Sequence, residues 1–170
     1  MLDRDLAYAR HYPAVAWSGS FSRDADALGA WHTRQGDPAW AHRRERVSAL
    51  LSDADRLGAL ADLVGIAAMP GAERVVMLAG RLLREAVLQQ SALSPNDVFC
   101  SAAKGAALLE AALAVIDRCA ALIDSGVPAA TIEETDFGSL LRAAQETGPE
   151  DFQGVQEHLE AMLTRLGTLS

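Results

Sequence analysis

Aromatic residues make up only 5% of this sequence, cysteine occurs twice, and the 15 lysines and arginines are outnumbered by 23 aspartates and glutamates. Each shortage excludes something. Two cysteines, Cys100 and Cys119, give no disulfide framework. Both sit among alanines and leucines, where a free thiol behaves as a small hydrophobe, and a reducing cytosol is the expected setting. No apolar run approaches the roughly 18 residues of a membrane-spanning helix, and the N-terminus lacks a basic-then-apolar signal pattern. A soluble, non-exported chain is therefore expected. The net charge of -8 disfavours nucleic acid and anionic membrane as partners, since both require a basic surface. The cluster Arg43-Arg44-Arg46 does not reverse this, because Glu45, Asp53 and Asp55 accompany it on the same helical segment.

Catalytic signatures are missing as well. The four histidines His11, His32, His42 and His158 form no HExxH, no Cys-x-x-Cys exists, and no Glu-x-x-His pairs are present to hold a di-metal centre. There is no GxSxG elbow, and no GxxxxGK[ST] loop to cradle nucleotide phosphates. No catalytic residue and no metal ligand is assigned from the sequence.

What is present is helical periodicity. Half of the 170 residues are hydrophobic, which suits a folded domain with a sizeable core. The chain centres on Ala72 to Lys104. There Val75, Ala79, Leu82, Leu83, Ala86 and Val87 recur at spacings of three and four. A polar hinge, Gln89 to Asp97, follows, and a second helix starts near Ser101 and runs to Ser125, with Gly126 beyond it. Its predicted apolar stripe is Ala102, Ala106, Leu109, Leu113, Ile116, Ala120 and Ile123. Upstream, Asp37-Pro38 predicts a helix start with Asp as N-cap. Val47, Leu50, Leu51, Ala54, Leu57, Leu60 and Val64 carry the helical period to Gly65, with a possible bend at Gly58. Met69-Pro70-Gly71 predicts an exposed turn. Downstream, Phe137 to Ala144 predicts a short helix and Phe152 to Leu166 a last one. Residues 1–37 hold Tyr8, Tyr12, Trp17 and Trp31 and a Trp17 to Ser22 stretch with no helical period. They read as an irregular aromatic arm that must lie against the helices or against something outside the chain. No segment alternates with the period of a strand. The expected fold is all-α: a bundle of about five to six helices over residues 38–170, preceded by the irregular arm over 1–37.

Two stretches carry a family resemblance. Leu2 to Trp17, LDRDLAYARHYPAVAW, resembles the "LDxSLAxRRHFPAINW" segment of the catalytic A subunit of vacuolar/archaeal-type rotary ATPases. Gly80 to Ser101, with Leu88-Gln89-Gln90-Ser91-Ala92-Leu93 and Asp97-Val98-Phe99-Cys100-Ser101, resembles that subunit's "REDFLQQNAF…VDxYCS" region. Both occur in the family's order, and the resemblance extends over essentially the entire chain.

The resemblance implies the C-terminal helical domain of a larger subunit, whose phosphate-binding loop and metal ligand lie upstream. In that family the domain closes over the adenine end of ATP or ADP bound with Mg2+, packs in the ring of A and B subunits, and presents a helix-turn-helix tip to the central stalk. Tyr12 matches the aromatic that packs on adenine. Gln90, Ala92 and Leu93 match the loop on the other side of the base. Leu93 and Val87 replace family aromatics, so stacking there becomes plain apolar contact. The rotor-facing tip maps to Gly65, Ile66, Ala68, Met69, Pro70 and Gly71. Only Asp62 and Glu73 flank it with the negative charge that the family places in this loop. The implied location is cytoplasmic and peripheral to the membrane, in the ATPase's soluble sector, with proton or sodium transport coupled through the whole assembly and no membrane insertion by this chain. By itself the chain is expected neither to hydrolyse ATP nor to bind it tightly. Two other readings compete: an acidic helical adaptor that docks a partner through Tyr8 to Trp31, and a small metalloenzyme using His32 or His42, which no ligand spacing supports.

Overall fold

The structure, a computed structural model, describes residues 2–17 and 19–169. Among these residues the fold is all-α: a single isolated antiparallel bridge, Leu2 to Val15, is the only extended pairing. The helices are α1 (Arg4–Tyr8), α2 (Ala25–Arg34), α3 (Trp40–Val64), α4 (Gly71–Leu83), α5 (Pro95–Val98), α6 (Ala102–Asp124), α7 (Ala129–Glu133), α8 (Gly138–Glu146) and α9 (Phe152–Gly167). Six of them are nine residues or longer, and the three short ones are turns of the connections. No described helix is long and apolar enough to cross a membrane.

The core forms where the two strongest stripes meet. On α4, Val75, Leu78, Ala79, Leu82 and Leu83 are buried, and Leu82 and Leu83 are fully so. They pack with α6, while α8 and α9 close the far side through Leu140, Ala143, Val155, Met162 and Leu166. Burying such a leucine stabilises the fold by about 1.5–3 kcal/mol. α3 lies along the other face of α4, and the approach is close: a Cβ on Gly80 would sit 2.3 Å from the Ala54 Cβ. Glycine at 80 and alanine at 54 let the two backbones approach.

Several boundaries and faces differ from the sequence reading. α2 is a ten-residue helix within the arm that was expected to be irregular, and it packs on α3. The His32 ring stacks on Trp40 at 4.5 Å and meets Trp31 edge-on at 4.9 Å, so aromatic contacts supply what the weak apolar period did not. α3 begins at Trp40 and not at Pro38, because the Asp37 carboxylate accepts from Arg43 Nη2 at 2.5 Å and so is not an N-cap. The helix passes through Gly58 without a break. Its buried residues are Leu51, Ala54 and Leu57; its last turns leave the core, with Leu60 41% and Val64 53% exposed. On α6 the fully buried line is Lys104, Ala112, Val115 and Leu122, and Ala102 and Ala120 are exposed. α6 is apolar nearly all round, so periodicity alone does not select the face that α4, α8 and α9 cover. α6 starts where expected, and the structure adds the cap: the Ser101 hydroxyl accepts from the Lys104 backbone N–H at 3.1 Å. Gly65 (φ 83°) and Gly126 (φ 93°) end α3 and α6 in the left-handed region that favours glycine. Burial pushes the Cys119 thiol up to about 11, consistent with a cysteine that serves as a core hydrophobe.

Replacing Gly80 with alanine is expected to force α3 and α4 apart and to cost about 1–3 kcal/mol, read as a lowered midpoint in chemical denaturation.

Candidate functional site

The arm is shaped by local hydrogen bonds. The Asp3 carboxylate caps α1, accepting from the N–H groups of Asp5 at 2.8 Å and Leu6 at 3.1 Å. Arg10 then reverses the chain with φ 57°, and the His11 N–H returns to the Leu6 carbonyl at 2.9 Å. A left-handed non-glycine residue costs of order 1 kcal/mol and is kept only where its surroundings hold it. The Asp3 N–H closes the loop on the Ala14 carbonyl at 2.9 Å. Tyr12 is thereby carried to the hinge after α4, where its carbonyl accepts from the Gln90 N–H at 2.7 Å. Tyr12 is left 54% exposed.

The hinge is ordered from the other side. α4 ends in a π turn, Arg84–Leu88, closed by the Gln89 N–H donating to the Arg84 carbonyl at 2.8 Å. Such turns recur at functional sites because they re-aim the residues that follow. The Asp97 side chain is buried and accepts from the Ser91 N–H at 2.5 Å, closing the loop on itself. Asn96 Nδ2 donates to the Gln145 carbonyl at 2.9 Å. Lys104, the only lysine in the sequence, is fully buried, and its Nζ donates to the carbonyls of Asn96 at 2.9 Å and of Ala144 and Thr147 at 2.8 Å each. Ala92 and Leu93 are left outside this framework, Leu93 being 96% exposed.

Tyr12 and Gln90 are thus joined directly, and Ala92 and Leu93 follow on the same ordered loop. Val87 is half-buried and packs against the core, and it lines a cavity bounded by α3 and α6 together with Val47, Leu51 and Ala106. Three participants escaped the sequence reading. Asp97 and Lys104 hold the loop, and Phe99, 79% exposed, stands beside it. A lone lysine near the start of an alanine-rich helix, and a phenylalanine in a polar connection, are the signals that mark two of them.

The turn between α3 and α4 lies at the other end of α4. Gly65, Ile66, Ala68 and Pro70 are exposed, and Leu63 (83%) and Val64 extend the apolar surface backwards onto α3. Met69 does not belong to it: its side chain is 6% exposed, because an apolar thioether turns inward where the chain enters α4. Gly71 is also inset. A Cβ there would lie 3.3 Å from Ile123 Cδ1 and 3.5 Å from the Ala129 Cβ. The ion pair between Arg74 and Glu133, with Nε donating to Oε1 at 2.9 Å, fastens this end of α4 to α7. The Glu133 carboxylate holds the Arg74 guanidinium above its ordinary value.

His11 is buried beneath the arm, and its Nε2 has no hydrogen-bond partner among the described residues. It lines a small cavity of about 130 Å³ with Asp3, Leu6, Trp17, Asp55 and Arg84. Burial lowers its pKa, Arg84 lowers it further, and Glu85 acts in the opposite sense. His32 is engaged by Trp31, Trp40 and, at 4.0 Å, the Asp37 carboxylate. Among the described residues no three His, Cys, Asp or Glu side chains converge in a way that would hold a metal ion.

The model of the family described as the C-terminal domain of V and A type ATP synthase matches residues 29–132. The V-type ATP synthase alpha chain of Anaeromyxobacter sp. (strain K) is 41% identical over 145 residues, covering 85% of this chain and 25% of the relative. The A subunit of the A-type ATP synthase of Thermofilum pendens is 33% identical over 173 residues, covering 99% of this chain and 28% of the relative. Its counterpart in Ignicoccus hospitalis is 30% identical over 172 residues, covering 99% and 29%. The chain spans about a quarter of the length of the curated relatives it matches.

Acid should loosen the arm. A histidine whose folded pKa lies below its unfolded 6.5 binds fewer protons in the folded state, so stability is full above about pH 6.5 and falls as pH drops through that value. Denaturant midpoints measured between pH 7 and pH 5 are expected to fall more steeply for the native chain than for His11→Asn.

Proposed function

This chain belongs to the family of the C-terminal domain of V and A type ATP synthase, and from that premise we propose that it is the helical domain that closes the adenine end of the catalytic A subunit's nucleotide site. The observation that carries the reading is the 2.7 Å bond from the Gln90 N–H to the Tyr12 carbonyl. It joins the two stretches that the adenine-site reading requires to lie together, although 77 residues separate them in sequence. The Tyr12 face stacks on the purine, the Gln90 amide is available to its polar edge, and Ala92 and Leu93 make apolar contact.

These are groups suited to a base and not to phosphate. Lys104 is spent on three carbonyls and cannot neutralise phosphate charge. Phosphoryl transfer needs cationic side chains and Mg2+ on the β- and γ-phosphates. The described residues of this chain do not fit a Mg2+ site, so no step of the chemistry is assigned to them. Hydrolysis or synthesis of ATP, and its coupling to ion transport, belong in this reading to the whole catalytic polypeptide in its assembly with B subunits and the central stalk.

The exposed end made by Leu63, Val64, Ile66 and Ala68 faces the rotor shaft. Contact there rests on apolar bulk and stiffness. α4 and its π turn span roughly 25 Å at the usual helical rise, so rigid-body movement of the domain carries a displacement from one end to the other.

In the assembled enzyme, Tyr12→Ala is expected to raise KM for ATP about tenfold, the effect of losing a stacking contact of about 1–3 kcal/mol, with kcat nearly unchanged. An unmoved KM would remove the adenine assignment. Leu63→Ser combined with Ile66→Ser should lower single-molecule torque or coupling while leaving KM alone. Deleting Met69 to Ala72 is the poorer test, because Met69 is buried and Gly71 abuts Ile123.

A further inference from the structure

A buried charge with no carboxylate among its hydrogen-bond partners calls for a reason. The Lys104 ammonium is fully enclosed, and its three hydrogen-bond acceptors are main-chain carbonyls from two separate places: Asn96 in the hinge loop, and Ala144 and Thr147 at the C-terminal end of α8. An ammonium has three N–H donors, and all three are used. The last carbonyls of a helix have no partner within it and carry its negative dipole end, so a cation placed there is both bonded and charge-matched. Asn96 adds a second link of the same kind, from its Nδ2 to the Gln145 carbonyl at 2.9 Å. The loop that carries exposed Ala92 and Leu93 is therefore hung from α8 through a buried cation and the Asn96 amide, while Asp97 closes its other side on Ser91.

We propose that Lys104 is a positioning residue for nucleotide binding, which clamps the loop of Gln90 to Leu93 to the end of α8 and so fixes the surface presented to the base. The clamp stands on the geometry alone; its effect on nucleotide rests on the adenine-site reading above. Lys104 touches no ligand in this scheme and acts through the loop it holds.

Because Lys104 is the only lysine, 15Nζ-lysine labelling of the chain gives a single side-chain signal. At neutral pH that ammonium is expected to exchange slowly with solvent. In Lys104→Met, amide exchange at Ser91 and Val98 should speed up about tenfold relative to amides in the middle of α4 and α6. In the assembled enzyme the same substitution should raise KM for ATP about tenfold, with kcat changed less than about twofold. If Lys104→Met does not fold, Asn96→Ala removes the exposed parallel link and should shift loop exchange and KM in the same directions by about threefold. A rapidly exchanging ammonium, or a loop no looser than the core in the variants, overturns the clamp whatever the fate of the adenine reading. A loosened loop with KM unmoved overturns the positioning role: if Tyr12→Ala still raises KM the adenine site stands without Lys104, and if it does not, the adenine reading has failed.

Discussion

The hydrogen bonds of one buried ammonium, with the parallel Asn96–Gln145 bond beside them, tie the start of α6, the hinge loop and the end of α8 together. Lys104 sits in the first turn of α6, reaches the hinge at Asn96, and terminates α8 at Ala144 and Thr147. Hydrogen bonds from a charged donor are each worth about 1.5–3 kcal/mol, and two of the three acceptors lie in buried surroundings where an unmade bond is costly. An apolar side chain of the same length would fill the space and satisfy none of them. The position therefore demands a cation even though it lies in the core.

That clamp gives the domain two differently built ends. At the hinge, order comes from polar bonds: Asp97 to Ser91, Asn96 to Gln145, and Gln90 to Tyr12. The apolar residues Leu93 and Phe99 are left facing outward on a fixed frame. At the turn between α3 and α4 the order comes from packing, with Met69 and Gly71 inset against the core and Leu63, Val64 and Ile66 outside it. α4 connects these ends through a largely buried stretch, and the Arg74–Glu133 pair and the Gly80–Ala54 approach hold it at its sides. A stiff element between a polar-bonded loop and an apolar tip suits a domain that moves as one piece.

Much of this is legible in the sequence where residues interact with near neighbours in the chain. The stripe from Val75 to Ala86, the helix start near Ser101, and the stop at Gly126 follow from spacing and stop signals alone. The pairing of Tyr12 with Gln90 is legible only through the resemblance of two separated motifs to one family. Leu60 and Val64 keep the helical period yet lie outside the core, because period reports a shared face and not whether another helix covers it. α2 is hidden for the opposite reason: its support is the aromatic stack of His32 on Trp40, a contact outside the helix.

The sequence by itself determined an acidic, all-helical chain, the positions of its long helices, and its family, since these depend on composition, on spacings of three and four, and on short ordered motifs. Only the tertiary structure decided which face of α6 is buried, that Met69 turns inward, that Asp37 pairs with Arg43 and does not cap α3, and that the sole lysine is a buried clamp. The physical reason is the same in each case. Those outcomes depend on which groups meet across elements distant in sequence, and a lysine at the start of an alanine-rich helix becomes structural only when three carbonyls converge on it.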